Sequence, residues 1–173
     1  MALIIPVRGK TPKFGKKTFL AENATIVGDV TCGMNCSFWF NSVVRGDVHY
    51  IKIGKRVNVQ DGAIIHGTYK KSPTNIGNDV SIAHNAVIHG CTIHDRVLIG
   101  MGAIIMDDVV IGENSIIAAG SVVTSKTIVE PNSLYAGTPA KKIKDLDKSA
   151  SAGEIKRIAE NYLEYKKWYK FFP

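Results

Sequence analysis

Apolar residues return every six positions along most of this chain. The series begins at Leu20, Ile26, Cys32, Phe38 and Val44, resumes after an insertion at Ile53, Val59 and Ile65, and after a longer one at Ile76, Ile82 and Ile88. One residue is then missing, and Ile93, Ile99, Ile105, Ile111, Ile117 and Val123 complete it. Four places after most starts stands a small or β-branched residue, as at Ala24, Cys36, Ala63, Val97 and Ser115. Helices repeat near 3.6 residues and strands at 2, so neither explains a period of six. A chain that turns a corner every six residues does. Three sides make a coil of roughly 18 residues, and stacked coils form a parallel β-helix. Each start then faces the axis, and each coil pairs its backbone with its neighbours. The spacing does not fix the hand of the coil.

This divides the chain into a lead-in (1–19), a hexapeptide β-helix (20–130), an exit turn and linker (131–147) and a C-terminal helix segment (148–173). The lead-in carries Pro6, Gly9, Pro12 and Gly15 and at most a short strand at 3–7. The insertions are read as an excursion at 50–52 and an exposed loop at 68–75, TYKKSPTN. Pro131 and Gly137-Thr138-Pro139 lead the chain out of the prism. Ser151 and Glu154 have capping-box spacing, and Ile155, Ile158, Ala159, Tyr162, Leu163, Tyr165 and Trp168 form an apolar stripe over 152–169.

Composition narrows the class. At 45% apolar residues over 173 positions, the chain can bury a core without staples. No apolar run is long enough to cross a bilayer, and the start lacks the basic lead of a signal peptide. Three cysteines cannot all pair within one chain, which points to a reducing, cytoplasmic setting. The formal charge of +7 sits largely in lysines flanking the repeats. Without aromatic-interleaved basic motifs, it reads as solvated surface attractive to small anions, with neither nucleic acid nor membrane as partner.

The candidate chemistry lies in the histidines. His66 follows the start Ile65, and His89 follows Ile88, three starts on. They therefore share a face in adjacent coils, roughly 5 Å apart. Arg45 follows Val44 in the same column. His84 stands two places after Ile82, and Asp61 two places after Val59, in a second column. Five residues of extended chain separate His84 from His89 by roughly 15 Å, too far for one chain to close them on one ion. Two prisms side by side can close them, if one offers His66 and His89 and its neighbour offers His84. Prisms packed around a three-fold axis give three such seams. Three imidazoles with an open position make a catalytic zinc arrangement, and such a zinc supplies hydroxide at neutral pH. Imidazole also accepts iron or cobalt. Arg45, Asp47, Gln60 and Asp61 are polar residues fit to support it. Taken singly, outward histidines are ordinary surface, as His49 and His94 are read here. Arg45 and Asp61 also suit a plain ion pair between subunits.

The motifs Arg45-Gly46-Asp47, Asn58-Val59-Gln60-Asp61, His66, His84-Asn85-Ala86-Val87-Ile88-His89-Gly90 and Tyr135-Ala136-Gly137-Thr138-Pro139-Ala140-Lys141 resemble those of gamma-class carbonic anhydrases, from about residue 10 to 146. The resemblance implies an all-β fold, a left-handed parallel β-helix of hexapeptide repeats with a C-terminal α-helix. It also implies a homotrimer holding metal by His66 and His89 of one subunit and His84 of the next. The implied activity is reversible hydration of carbon dioxide to bicarbonate. Gln60 is implied to place the hydroxide, Arg45, Asp47 and Asp61 to order the interface, and Tyr135 to reach the site.

Two features depart from the family pattern. Val48 stands where a Glu is usual, and the short loop 68–75 is basic where the family's best-studied form carries a proton-shuttling Glu. Hydration must export a proton each turn, so a weak lyase is one expectation. The alternatives are a hexapeptide acyltransferase using a coenzyme A thioester, and a non-catalytic metal-stabilised trimer.

Overall fold

The structure is a computed structural model describing residues 1–169. The six-residue period becomes a parallel β-solenoid of about seven turns, followed by one helix. Every start from Ile26 to Val123 faces the axis and is at most 5% exposed. The axial aliphatic side chains stack on one another, and the small residues four places on (Ala24, Ala63, Ala86, Ala103) let the chain turn close to them.

Three ladders carry the starts. The first runs from Leu3–Ile5 through Thr25–Cys32 and Val43–Ile53 to Ile64–His66, Val87–His89, Ile104–Ile105 and Val122–Val123. The second links Lys13–Phe14, the far ends of Thr25–Cys32 and Val43–Ile53, Thr74–Ile76, Thr92–Ile93, Val110–Ile111 and Ile128–Val129. The third links Phe19–Leu20, Ser37–Phe38, Asn58–Val59, Ser81–Ile82, Leu98–Ile99, Ile116–Ile117 and Ser133–Gly137.

The ladders reach beyond the periodic stretch at both ends. Ile4, Phe14 and Leu20 pair with Ile26, Cys32 and Phe38, so the lead-in forms a first coil. At the other end Val129 pairs with Ile111 and Tyr135 with Ile117. Ala140–Asp145 then folds back antiparallel on Ser133–Gly137.

Corners are turned by residues in the left-handed region, among them Asn85 (φ 58°), Asp108 (φ 61°) and Asn114 (φ 56°). Asn and Asp tolerate that region better than most L-residues. The first insertion lies earlier than the sequence suggests. Gly28 pairs with Gly46 and Val30 with Ile51, so Asp47–Tyr50 bulge out opposite Asp29. Gly28 sits at φ +73°, where a Cβ would stand 2.5 Å from the Gly46 carbonyl oxygen. Only glycine satisfies both the dihedral and the close approach there.

The helix spans Lys148–Trp168, so Ser151 falls inside its first turn and does not cap it. The Ser151 side chain, and residues 170–173 of the C-terminal segment, lie outside the described residues. The helix packs on the prism's own third face, against Ser37–Phe38 and Ser81–Ile82. Its own Ile155 and Ala159 are the side chains it buries against the prism. Tyr162 meets Trp39 edge-on with centroids 5.2 Å apart, and Lys166 Nζ donates to the carbonyls of Lys17 and Asn35 at 2.9 and 3.2 Å.

Candidate metal centre

The first ladder sets His66 directly against His89 in register. The bulge at Asp47–Tyr50 frees Asp47 from the ladder and turns it onto the next coil. There Asp47 Oδ1 takes His66 Nε2 at 3.1 Å, while its Oδ2 accepts from Arg45 at 2.6 Å. On the far side, His89 Nδ1 donates to Asp107 Oδ1 at 2.6 Å, and Thr68 Oγ1 donates to Asp107 Oδ2 at 2.6 Å. The third ladder holds the other pair: His84 Nδ1 lies 3.0 Å from Asp61 Oδ2.

Each histidine thus has one ring nitrogen on its own carboxylate: His66 on Asp47, His84 on Asp61, His89 on Asp107. That fixes tautomers. With the outer nitrogens donating, His66 Nδ1 and His89 Nε2 both keep lone pairs, and these face one another at 3.2 Å. Two acceptors so placed repel unless a proton or a cation lies between them. Burial lowers the pKa of His66; the Asp47 hydrogen bond pulls the other way, and the Arg45 charge, 3.5 Å from Nδ1, adds to the lowering. The neutral ring this favours has a lone pair that can bind a metal. Two imidazole nitrogens on a tetrahedral zinc, each at about 2.0–2.1 Å, lie roughly 3.3 Å apart. The pair fits that separation, and the carboxylates behind it are the usual outer partners of metal-bound histidine.

The carboxylates are tuned to stay charged. Burial alone would raise Asp47 and Asp107. Hydrogen bonds from Arg45 and His66 to the first, and from Thr68 and His89 to the second, outweigh it and hold both below the usual range.

The fold brings His66 and His89 together and leaves His84 on a different face. Among the described residues, no three His, Cys, Asp or Glu side chains of one chain gather into a metal-holding group. His84 lies on the neighbouring face, 41% exposed with its Nε2 free of the carboxylate. A cavity of about 330 Å³ beneath the helix is lined by Gln60, His84, Met101, Arg157, Asn161 and Tyr162. Gln60 is only 3% exposed and donates to Asn58 Oδ1 at 2.9 Å. Burial and the nearby Asp61 charge push Tyr162 up to about 12. Tyr135 is 7% exposed in the core, two coils past His89 and on the third ladder, not in the histidine column. His49 and His94 stand outside the cluster, His49 accepting from the Tyr50 amide.

Sequence reasoning missed Asp107 and Thr68. Asp107 was legible: Ile105 is the next start on the face of Ile65 and Ile88, and the residue lost between Ile88 and Ile93 brings Asp107 level with His89 at the corner.

Comparison with known proteins gives a consistent grouping. Residues 90–125 match the family model described as bacterial transferase hexapeptide (six repeats). The chain is 55% identical over 152 residues to a protein of Methanocaldococcus jannaschii named "Probable carbonic anhydrase", covering 88% of this chain and 92% of that one. It is 45% identical over 168 residues to the "Carbonic anhydrase" of Geobacillus kaustophilus, covering 97% and 91%. A Bacillus cereus crystal structure, of a protein provisionally named an acetyltransferase, superposes with TM-score 0.93 at 41% identity over 98% of this chain and 97% of that one.

Proposed function

The chain belongs to the gamma carbonic anhydrase group of hexapeptide-repeat proteins, and from that premise we propose that it is a metal-dependent lyase interconverting carbon dioxide and bicarbonate at the seams of a homotrimer. The observation that carries the reading is the His66–His89 pair, with lone pairs opposed at 3.2 Å and outer nitrogens anchored on Asp47 and Asp107. His84, anchored on Asp61 and exposed on the neighbouring face, is the third ligand, contributed by the adjoining subunit. A zinc ion bound there supplies a Lewis acid and a hydroxide nucleophile at neutral pH; iron and cobalt suit the same imidazoles.

The chain's own residues do the rest. Arg45, bridged to Asp47 and exposed, sets a positive charge beside the histidines that attracts bicarbonate. Gln60, fixed through Asn58, presents its remaining amide capacity to the cavity that His84 shares. Tyr135 lies buried on the third ladder beside Ile117, apart from the histidine column.

The seam has an apolar lining. Val43, Ile64, Val87, Ile104 and Val122 face outward immediately before the axial residues of the first ladder, next to the histidine column. Ile64 and Ile104 are 42% and 39% exposed. A stripe of aliphatic side chains beside polar ligands is what a second copy covers. Val48 and the basic loop 68–75 supply no carboxylate at the two positions where the family pattern carries one. Proton export is then the slow step and turnover is low.

The test joins elemental analysis to stopped-flow carbon dioxide hydration. One metal per subunit and measurable hydration are expected. His84→Ala should lose the metal and keep the trimer, because it removes a surface side chain. Metal retained in that variant overturns the site. The similarity to a protein named for acetyl transfer keeps one rival: coenzyme A binding in calorimetry, with no bound metal, would favour acyl transfer instead.

A further inference from the structure

We propose that Asp107, held by Thr68, is the positioning residue that makes His89 a ligand. Asp107 takes the Nδ1–H of His89 and leaves the Nε2 lone pair facing His66. The loop 68–75 follows no periodic rule, yet its Ser and Thr hydroxyls are all committed inward. Thr68 donates to Asp107 Oδ2 at 2.6 Å and Ser72 to Asp108 Oδ1 at 2.7 Å. Thr74 donates to the His66 carbonyl at 2.5 Å and accepts from the Gly90 amide at 3.1 Å. The loop therefore stitches the coil of His66 to the coil of His89 and to the coil beyond. Ser72 and Thr74 are buried, and Thr68 and Asp107 are half-buried.

The Asp107 carboxylate uses its two oxygens for two neighbours. Thr68 fixes one oxygen, so the other cannot swing off His89. Without Asp107, His89 is free to carry its proton on Nε2, which removes the lone pair from the inner side. The same loop that lacks a shuttling acid instead holds the ligand ring in place. The link to metal rests on the proposed lyase reading; the tautomer does not.

The experiment measures both separately. In the metal-free wild-type protein, long-range ¹H–¹⁵N spectra should show His89 protonated at Nδ1. In Asp107→Ala they should show a mixture of tautomers. Zinc affinity, by competition with a chromophoric chelator, should fall about 10–100-fold in Asp107→Ala. The visible spectrum of the cobalt-substituted protein should shift as well. Thr68→Ala should move the same readouts by a smaller factor, and Thr68→Ser should restore them. Circular dichroism checks the fold, and if Asp107→Ala does not fold, the two Thr68 variants decide the question. An Nδ1–H tautomer that persists in both alanine variants overturns the inference. So does a cobalt spectrum unchanged in both. Absence of zinc binding in the wild type would overturn the lyase reading alone, since the tautomer is still read.

Discussion

Gly28 and Gly120 make a controlled pair. Both lie at corners in the left-handed region, at φ +73° and +66°. At Gly120 an added Cβ meets nothing within 4 Å, whereas at Gly28 it lies 2.5 Å from the Gly46 carbonyl oxygen. Gly120→Ala therefore bears only the left-handed penalty, about 1–2 kcal/mol. Gly28→Ala bears that and a forced backbone shift, another ~1–3 kcal/mol by analogy with overpacking. In a protein this size 1 kcal/mol moves Tm by about 2–4 °C. An excess of about 2 kcal/mol thus separates the two variants by about 4–8 °C at equal protein concentration. The shift also reaches the site, because Gly46 leads directly into the bulge that aims Asp47 at His66. Gly28→Ala should weaken zinc binding and Gly120→Ala should not. Thermal melts by circular dichroism with chelator titration decide the matter. Equal Tm losses, or equal zinc affinities, would refute the close-approach reasoning.

Two further outcomes follow from the seam and from the carboxylates. Ile104→Asp should break the oligomer in analytical ultracentrifugation and release the metal without unfolding the coil, since Ile104 faces outward and is 39% exposed. Asp95 is held low: burial opposes this, but the backbone and side-chain amides of Asn78 outweigh it. A depressed folded pKa gives stability that is full above the unfolded value of about 3.9 and is lost as pH falls below it. Asp95→Asn should therefore lower the melting temperature at pH 7, where the charged carboxylate contributes in full, and flatten the acid limb below pH about 4, where the two proteins converge.

The prism was legible because axial burial imposes one residue class at a fixed interval, and a regular constraint leaves a regular trace. Its ends were not. The first coil spaces Ile4, Phe14 and Leu20 by ten and six residues, so it lacks the period. Tyr135 extends the third ladder past Pro131, where the sequence suggests an exit. In the centre, the columns Arg45–His66–His89 and Asp61–His84 follow from counting starts, because register in a solenoid is arithmetic. Asp47 escapes that arithmetic, since its aim depends on where the bulge falls. Thr68 escapes it too, because the path of an inserted loop is set by its hydroxyls and not by any repeat.

Lys166 makes the helix more than a cover. Stacked coils ordinarily touch only their neighbours and fray from either end. Here an ammonium holds the carbonyl of Lys17, 149 residues back in the chain, and that of Asn35 one coil along. The opening coil is thus latched by a segment that comes long after it. A ribosome would display that coil unfinished for most of the protein's synthesis, and a cut in the linker near 146–148 should loosen the opposite end of the molecule first.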